Sequence, residues 1–206
     1  MNKRIHTLAL ALLLAFAATA VAQISNIPQF SADMNMTAPG GRKSAGRIFW
    51  GSGRIRMDMN AEGQEVSLVQ DLARKTSYMI MHQQHMYMEM GADNPMGQRM
   101  RTPDVKPYDL NNPCASEPGY TCKKVGVETV NGRTCDKWEF KGPHGDRTVW
   151  VDQKLHFPIR AISPQSGTME LTNVQEGPQS ASRFEIPSGY NKMDMGGMMG
   201  GRKPQQ

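Results

Sequence analysis

The sequence predicts a mainly β protein: a single antiparallel, strongly curved sheet of roughly ten or eleven strands, an incomplete half β-barrel with a long loop or short-helix insert. Three observations predict it. Apolar and polar residues alternate at period two over most of the chain from Phe30 onward, as half-buried strands require. Turn-forming pairs separate the alternating runs. Helical periodicity of useful length is missing beyond the leader, apart from a short stretch over Asp93 to Met100 that Pro95 could start.

The leader comes first. Lys3 and Arg4 precede an apolar run from Leu8 to Ala18, and Ala20-Val21-Ala22 supplies a small-x-small cleavage pattern before Gln23. Residues 1–22 read as a signal peptide cut after Ala22, because the apolar core is too short to span a bilayer. The mature chain is therefore expected in the periplasm or secreted, without a transmembrane segment. Residues 23–190 are expected to form one domain, ample for a buried core. Residues 191–206 read as a flexible Met/Gly-rich tail.

The elements follow in order. Phe30, Ala32, Met34 and Met36 alternate with Ser31, Asp33 and Asn35. Ile55, Met57 and Met59 alternate with Arg54, Arg56 and Asp58. Gly40-Gly41, Gly51-Ser52-Gly53 and Glu62-Gly63 punctuate these strands. Residues 91–122 hold Pro95, Pro103, Pro107, Pro113 and Pro118 and alternate poorly; they are expected to be a long loop or lid between two groups of strands. A hairpin over residues 126–140 turns on Asn131-Gly132, the pair that type I′ turns prefer. That turn sets Val130 opposite Arg133, Glu128 opposite Cys135, Val127 opposite Asp136, Val125 opposite Trp138 and Lys124 opposite Glu139. Strands over 147–151, 156–162 and 168–174 follow. FEIPSGY, residues 184–190, reads as a short edge piece, since proline suits a sheet edge.

Three cysteines are present, Cys114, Cys122 and Cys135. The hairpin register separates Cys122 from Cys135. A Cys114–Cys122 disulfide closes a short loop and tethers the insert, in keeping with an oxidising compartment.

Charge and motif content narrow the function. The net charge of +5 falls when Lys3 and Arg4 leave with the leader, and charges of both signs are interspersed. Nucleic-acid binding therefore has no footprint. No nucleophile elbow, zinc motif, P-loop or dinucleotide fingerprint occurs, so the chain is expected to be neither an enzyme nor a cofactor protein.

Methionine is the conspicuous residue, with 17 in the chain. It recurs as M-x-M at Met34/Met36, Met57/Met59, Met79/Met81, Met86/Met88/Met90 and Met193/Met195. A spacing of two puts both sulfurs on one face of a strand. The candidate lining of an apolar concavity is Met34, Met36, Met57, Met59, Met79, Met81, Met86, Met88 and Met90, with Trp138, Phe140 and Trp150. Thioethers adapt to cargo of variable shape. They also select soft ions. The alternative site for Cu(I) or Ag(I) is Met79, Met81, His82, His85, Met86 and Met88. The choice depends on the turn of MIMHQQHMYMEM, residues 79–90. A two- or four-residue loop places all five methionines on one face, whereas a three-residue loop splits them. Arg54, Arg56, Arg133 and Arg160 are candidate partners for an anionic head group.

VGVETVNGRTCDKWEF, VWVDQKLHFPIRA, MELTNVQEG and FEIPSGY, in that order, together with GRIFWGSGRIRMDM and DLARKTSYMI, resemble the lipoprotein-carrier (LolA/LolB-like) superfamily of the bacterial envelope, in an uncharacterised branch. The resemblance covers most of residues 30–190. It implies an antiparallel half-barrel around a hydrophobic concavity, partly covered by a lid. The expected function is a monomeric periplasmic binding protein that holds an apolar small molecule, lipid or lipoprotein acyl chain. The alternatives are a Cu(I)/Ag(I)-binding protein and an envelope structural or interaction protein that recruits its partner through an open sheet edge.

Overall fold

The structure, a computed structural model, describes residues 27–61, 63–91 and 107–193. The leader, the Asp93–Met100 stretch and the chain beyond Met193 lie outside the described residues. Twelve strands form one sheet. They are β1 (Phe30–Thr37), β2 (Lys43–Gly51), β3 (Arg54–Ala61), β4 (Gln64–Asp71), β5 (Thr76–Met81), β6 (Met86–Gly91), β7 (Thr121–Val130), β8 (Arg133–Lys141), β9 (Arg147–Asp152), β10 (Pro158–Ser163), β11 (Gly167–Glu176) and β12 (Asn191–Lys192). The spatial order is β12-β6-β5-β4-β3-β2-β1-β11-β10-β9-β8-β7. The expected open, curved β architecture is found.

The order follows from local pairing. β1 to β6 form one meander and β7 to β11 another, and antiparallel pairing of β1 with β11 joins them. Short turns suffice because consecutive antiparallel strands need only hairpins. Asn131 and Gly132 both have positive φ, as a type I′ turn requires. Two glycines permit close approaches. A Cβ on Gly46 would collide with the Asp58 carbonyl of the neighbouring strand, and one on Gly167, at φ +83°, with the Thr37 carbonyl.

Two expectations are corrected. The 126–140 hairpin holds the expected register from Val130 back to Gly126, which pairs with Lys137, and then a bulge at Val125 shifts it. Lys124 consequently lies opposite Trp138 rather than Glu139, and its ammonium reaches Asp136 at 2.6 Å. Val125 and Val127 are exposed on this edge strand, so they do not share a buried face with Trp138 and Phe140. The bulge is an edge device: it re-aims side chains and adds local twist.

FEIPSGY is not an edge strand. Ala181–Phe184 form a 3-10 turn, and the chain then crosses the outer face of the sheet. Phe184 packs with Phe49, Val69 and Ile80, and Ile186 and Tyr190 extend the same cluster. Burying these side chains outweighs the few ladder bonds an edge position offers. Only Asn191 and Lys192 join the sheet, parallel to β6.

The main core lies on the inner face. Phe30, Trp50, Ile55, Leu155, Phe157 and Ile159 are fully or almost fully buried there. The Phe157 ring meets Phe30 edge-on at 5.1 Å and Trp50 at 6.0 Å.

Candidate ligand cavity

Strand registers build the inner face as rows of cross-strand neighbours. One row runs Ala32, Ile48, Met57, Leu68, Met79, Met88 across β1 to β6. The next runs Met34, Gly46, Met59, Val66, Met81, Met86. On the other side of β1, Met36 pairs with Met169, then Ala161, then Val149. Sulfurs from strands far apart in sequence thus meet on one surface.

A cavity of about 1070 Å³ opens on it. Met34, Met36, Met57, Met59 and Met79 line it, joined by Ile48, Leu68, Val149, Phe157, Met169 and Leu171. A space of this size suits a lipid-sized ligand. Met88 and Met90 belong to the buried cluster continuous with this lining. Met81 and Met86 sit at the far end of their row and do not line the cavity.

Part of the inner face further along is covered. Tyr108 packs over Trp138, Phe140, Val149 and Val151, and Leu110, Cys114, Tyr120 and Cys122 flank it. The Tyr108 amide donates to the His156 carbonyl at 2.7 Å. The expected Cys114–Cys122 disulfide is present, with Cα atoms 5.7 Å apart. Trp138 and Phe140 are therefore beneath this cover rather than on the cavity wall. Trp150 is buried in the main cluster without lining the cavity, and pairs with Lys137 and Arg160. Its indole donates to Glu128 at 2.7 Å, and the Lys137 and Arg160 cations sit 5.0 and 5.6 Å from its ring. The Lys137 ammonium first, and then this indole, hold the Glu128 carboxyl below its ordinary range.

The mouth is polar. It is formed by the β1–β2 turn with Arg42 and Lys43, by Ser163 and Ser166–Thr168, and by Glu117, His144 and Arg147. Arg147 is already engaged. Its guanidinium pairs with Glu117 at 3.0 Å and sits 4.5 Å from the Tyr120 and Phe140 rings. The strand arginines are placed elsewhere. Arg54 stacks on Phe184, Arg133 pairs with Asp152 and Glu176, and Arg160 with Glu170 at 2.8 Å. Arg56 joins an outer-face network with Asp58 and Ser67.

The 79–90 hairpin adopts the register that keeps its methionines together. Met79 faces Met88, Met81 faces Met86, and Ile80 faces Tyr87 on the other side. The histidines lie apart from the sulfurs. The His82 ring contacts Ser67 Oγ at 2.7 Å and the Tyr190 hydroxyl at 3.0 Å, and the His85 ring lies 5.2 Å from that of Tyr190. Tyr190 belongs to the outer-face cluster, whereas Met79 and Met88 belong to the inner one. The six residues of the Cu(I)/Ag(I) alternative are thus divided between two faces.

Cys135 is a packed thiol. It is fully buried, burial and then the neighbouring Asp152 push its pKa up to about 11, and its Sγ donates to the Arg133 carbonyl at 3.5 Å. At neutral pH it carries no thiolate population of use to a nucleophile.

Sequence reasoning did not select Ile48, Leu68, Met169, Leu171 or Phe157. The first four alternate on their strands and were legible by the same period-two rule. Phe157 alternates with Ile159 and Ala161 in the expected 156–162 strand, but it lies just before β10, which begins at Pro158.

Among the described residues no helix is long and apolar enough to cross a membrane. No curated protein matches the chain. Solved structures do. An uncharacterized conserved protein from Thermus thermophilus is similar over 86% of this chain and 98% of its own, at 7% identity and a TM-score of 0.54. The complex of Pseudomonas aeruginosa MucA/MucB matches 83% of this chain and 60% of its own, at 13% identity and a TM-score of 0.52. At these identities the likeness concerns the fold alone. A LolA superfamily protein from Nitrosomonas europaea also matches, with 9% identity over 82% of this chain and 97% of its own, but its TM-score of 0.35 carries no argument. The family model described as Domain of unknown function (DUF4412) matches residues 31–156, from β1 to just beyond β9 and so across most of the cavity wall, and the chain belongs to that family.

Proposed function

We propose that this protein is a non-enzymatic binding protein of the bacterial envelope, which holds an acyl chain of a lipid or lipoprotein against its methionine-lined inner face. The observation that carries the reading is the convergence of Met34, Met36, Met57, Met59, Met79 and Met169 on one cavity of about 1070 Å³. The leader and the resemblance of the strand motifs to the lipoprotein-carrier superfamily support it.

The energetics are adequate. Each buried methylene contributes about 0.8 kcal/mol, so about ten contribute about 8 kcal/mol before the cost of association. Unbranched, polarizable methionines re-pack around chains of different length and unsaturation at small cost. Native mass spectrometry of protein purified from its own envelope should show co-purifying lipid, and an environment-sensitive fatty-acid probe should brighten on binding. Finding neither lipid nor probe binding would remove the reading.

A further inference from the structure

The mouth of the cavity bears a charge pattern that the apolar wall does not explain. Arg42 and Lys43 stand side by side where β2 begins, and both are exposed. Two hydrogen bonds fix their turn: the Ala38 amide donates to the Arg42 carbonyl at 2.9 Å, and the Gly41 amide to the Ala38 carbonyl at 2.8 Å. Among the described residues that line the cavity, Glu117 is the sole acid, and Arg147 already holds it at 3.0 Å. The lining therefore includes two cations without a lining carboxylate to neutralise them, Arg42 from the β1–β2 turn and Lys43 opposite Thr37 at the strand end, together with His144. Immediately inside, the wall turns to the side chains of Met34, Met36 and Met59.

An apolar chamber with fixed cations at its entrance is complementary to one kind of molecule, an apolar chain that ends in an anion. A guanidinium and an ammonium together can engage both oxygens of a carboxylate. We propose that the cavity selects a fatty carboxylate, with its chain along the methionine wall and its head group on Arg42 and Lys43. This assignment rests on the acyl-binding reading above and adds the head group to it. Chain burial supplies most of the affinity, and the exposed cations supply selectivity, because charge–charge attraction at a wet rim is weak and screened by salt.

The test uses the delipidated mature protein and the neutral apolar dye N-phenylnaphthylamine, displaced in parallel by laurate and by dodecanol. These two share a chain length and differ in head-group charge. Laurate is expected to displace the dye at about a tenth of the dodecanol concentration at low ionic strength, a gap of about 1.4 kcal/mol. That gap should close in the R42Q/K43Q double variant and shrink as salt is added. The melting temperature should be unchanged in the variant, because both side chains are exposed, and each displacement is read against the dye affinity measured in that same variant. Equal displacement by the two ligands, or a laurate preference that persists in R42Q/K43Q, would overturn the head-group assignment while leaving acyl binding intact. Failure of both ligands to displace the dye would overturn the acyl reading and the head-group assignment together.

Discussion

The two ends of the sheet cover opposite faces. At the β2–β6 end the cover lies outside: Phe184, Ile186 and Tyr190 of the segment after β11 pack on Phe49, Val69 and Ile80. At the β8–β9 end it lies inside, where Tyr108, Tyr120 and the Cys114–Cys122 disulfide close over Trp138, Phe140 and Val149. Between these covers a stretch of inner face from β1 to β5 and β11 borders open space, and there the lining is rich in thioethers. The residue types match their surroundings. Rigid aromatics occupy the faces with a fixed protein partner, where shape complementarity is rewarded. Flexible methionines occupy the face that borders the cavity, where no covering segment of the described protein packs over them.

This contrast can be broken at the core that lies between the two ends. Phe157 is fully buried, touches Phe30 and Trp50, and also forms part of the cavity wall. Phe157→Ala should cost about 3–5 kcal/mol, read as a lower urea midpoint. A midpoint within error of the wild type would mean that the two halves do not share one core.

A smaller effect separates the covers. Replacing Cys114 and Cys122 by serine opens a short loop and should cost about 2 kcal/mol. Amide hydrogen exchange should accelerate over 107–122 and stay unchanged over 181–193. Acceleration in both segments would show that the covers are coupled across the sheet.

The smallest effect probes the outer cover. Tyr190→Phe removes the hydroxyl that meets His82 at 3.0 Å. It should cost about 1 kcal/mol in thermal denaturation and accelerate exchange only near the C-terminal segment. Loss of apolar ligand binding in this variant would contradict the separation of the two faces.

Much of the sheet was readable from local patterns because strand chemistry is local. The alternation of Phe30 to Met36 and of Ile55 to Met59, and the Asn131-Gly132 turn, dictate strand, face and register with little help from the rest of the chain. The same register argued against a Cys122–Cys135 bridge, and closure of a short loop favoured the Cys114–Cys122 disulfide that is found. The bulge at Val125 was not readable, because an inserted residue on an edge strand leaves the neighbouring residue types unchanged. Trp150 belongs to the buried cluster continuous with the methionine lining but does not itself line the cavity. Alternation assigns Val149 and Trp150 to opposite faces but does not say which of them borders the cavity.

What the sequence by itself determined is therefore the set of strands, their hairpin pairings and the grouping of M-x-M sulfurs on one side of each strand. Period-two geometry and turn stereochemistry are intrinsic to short stretches of chain. Tertiary structure alone decided that β1 pairs with β11, that the segment after β11 crosses the outer face, and that the histidines of the 79–90 hairpin turn toward Tyr190 and away from the sulfurs. Those outcomes depend on apolar surfaces distant in sequence finding one another, and burial energy carries no local signature.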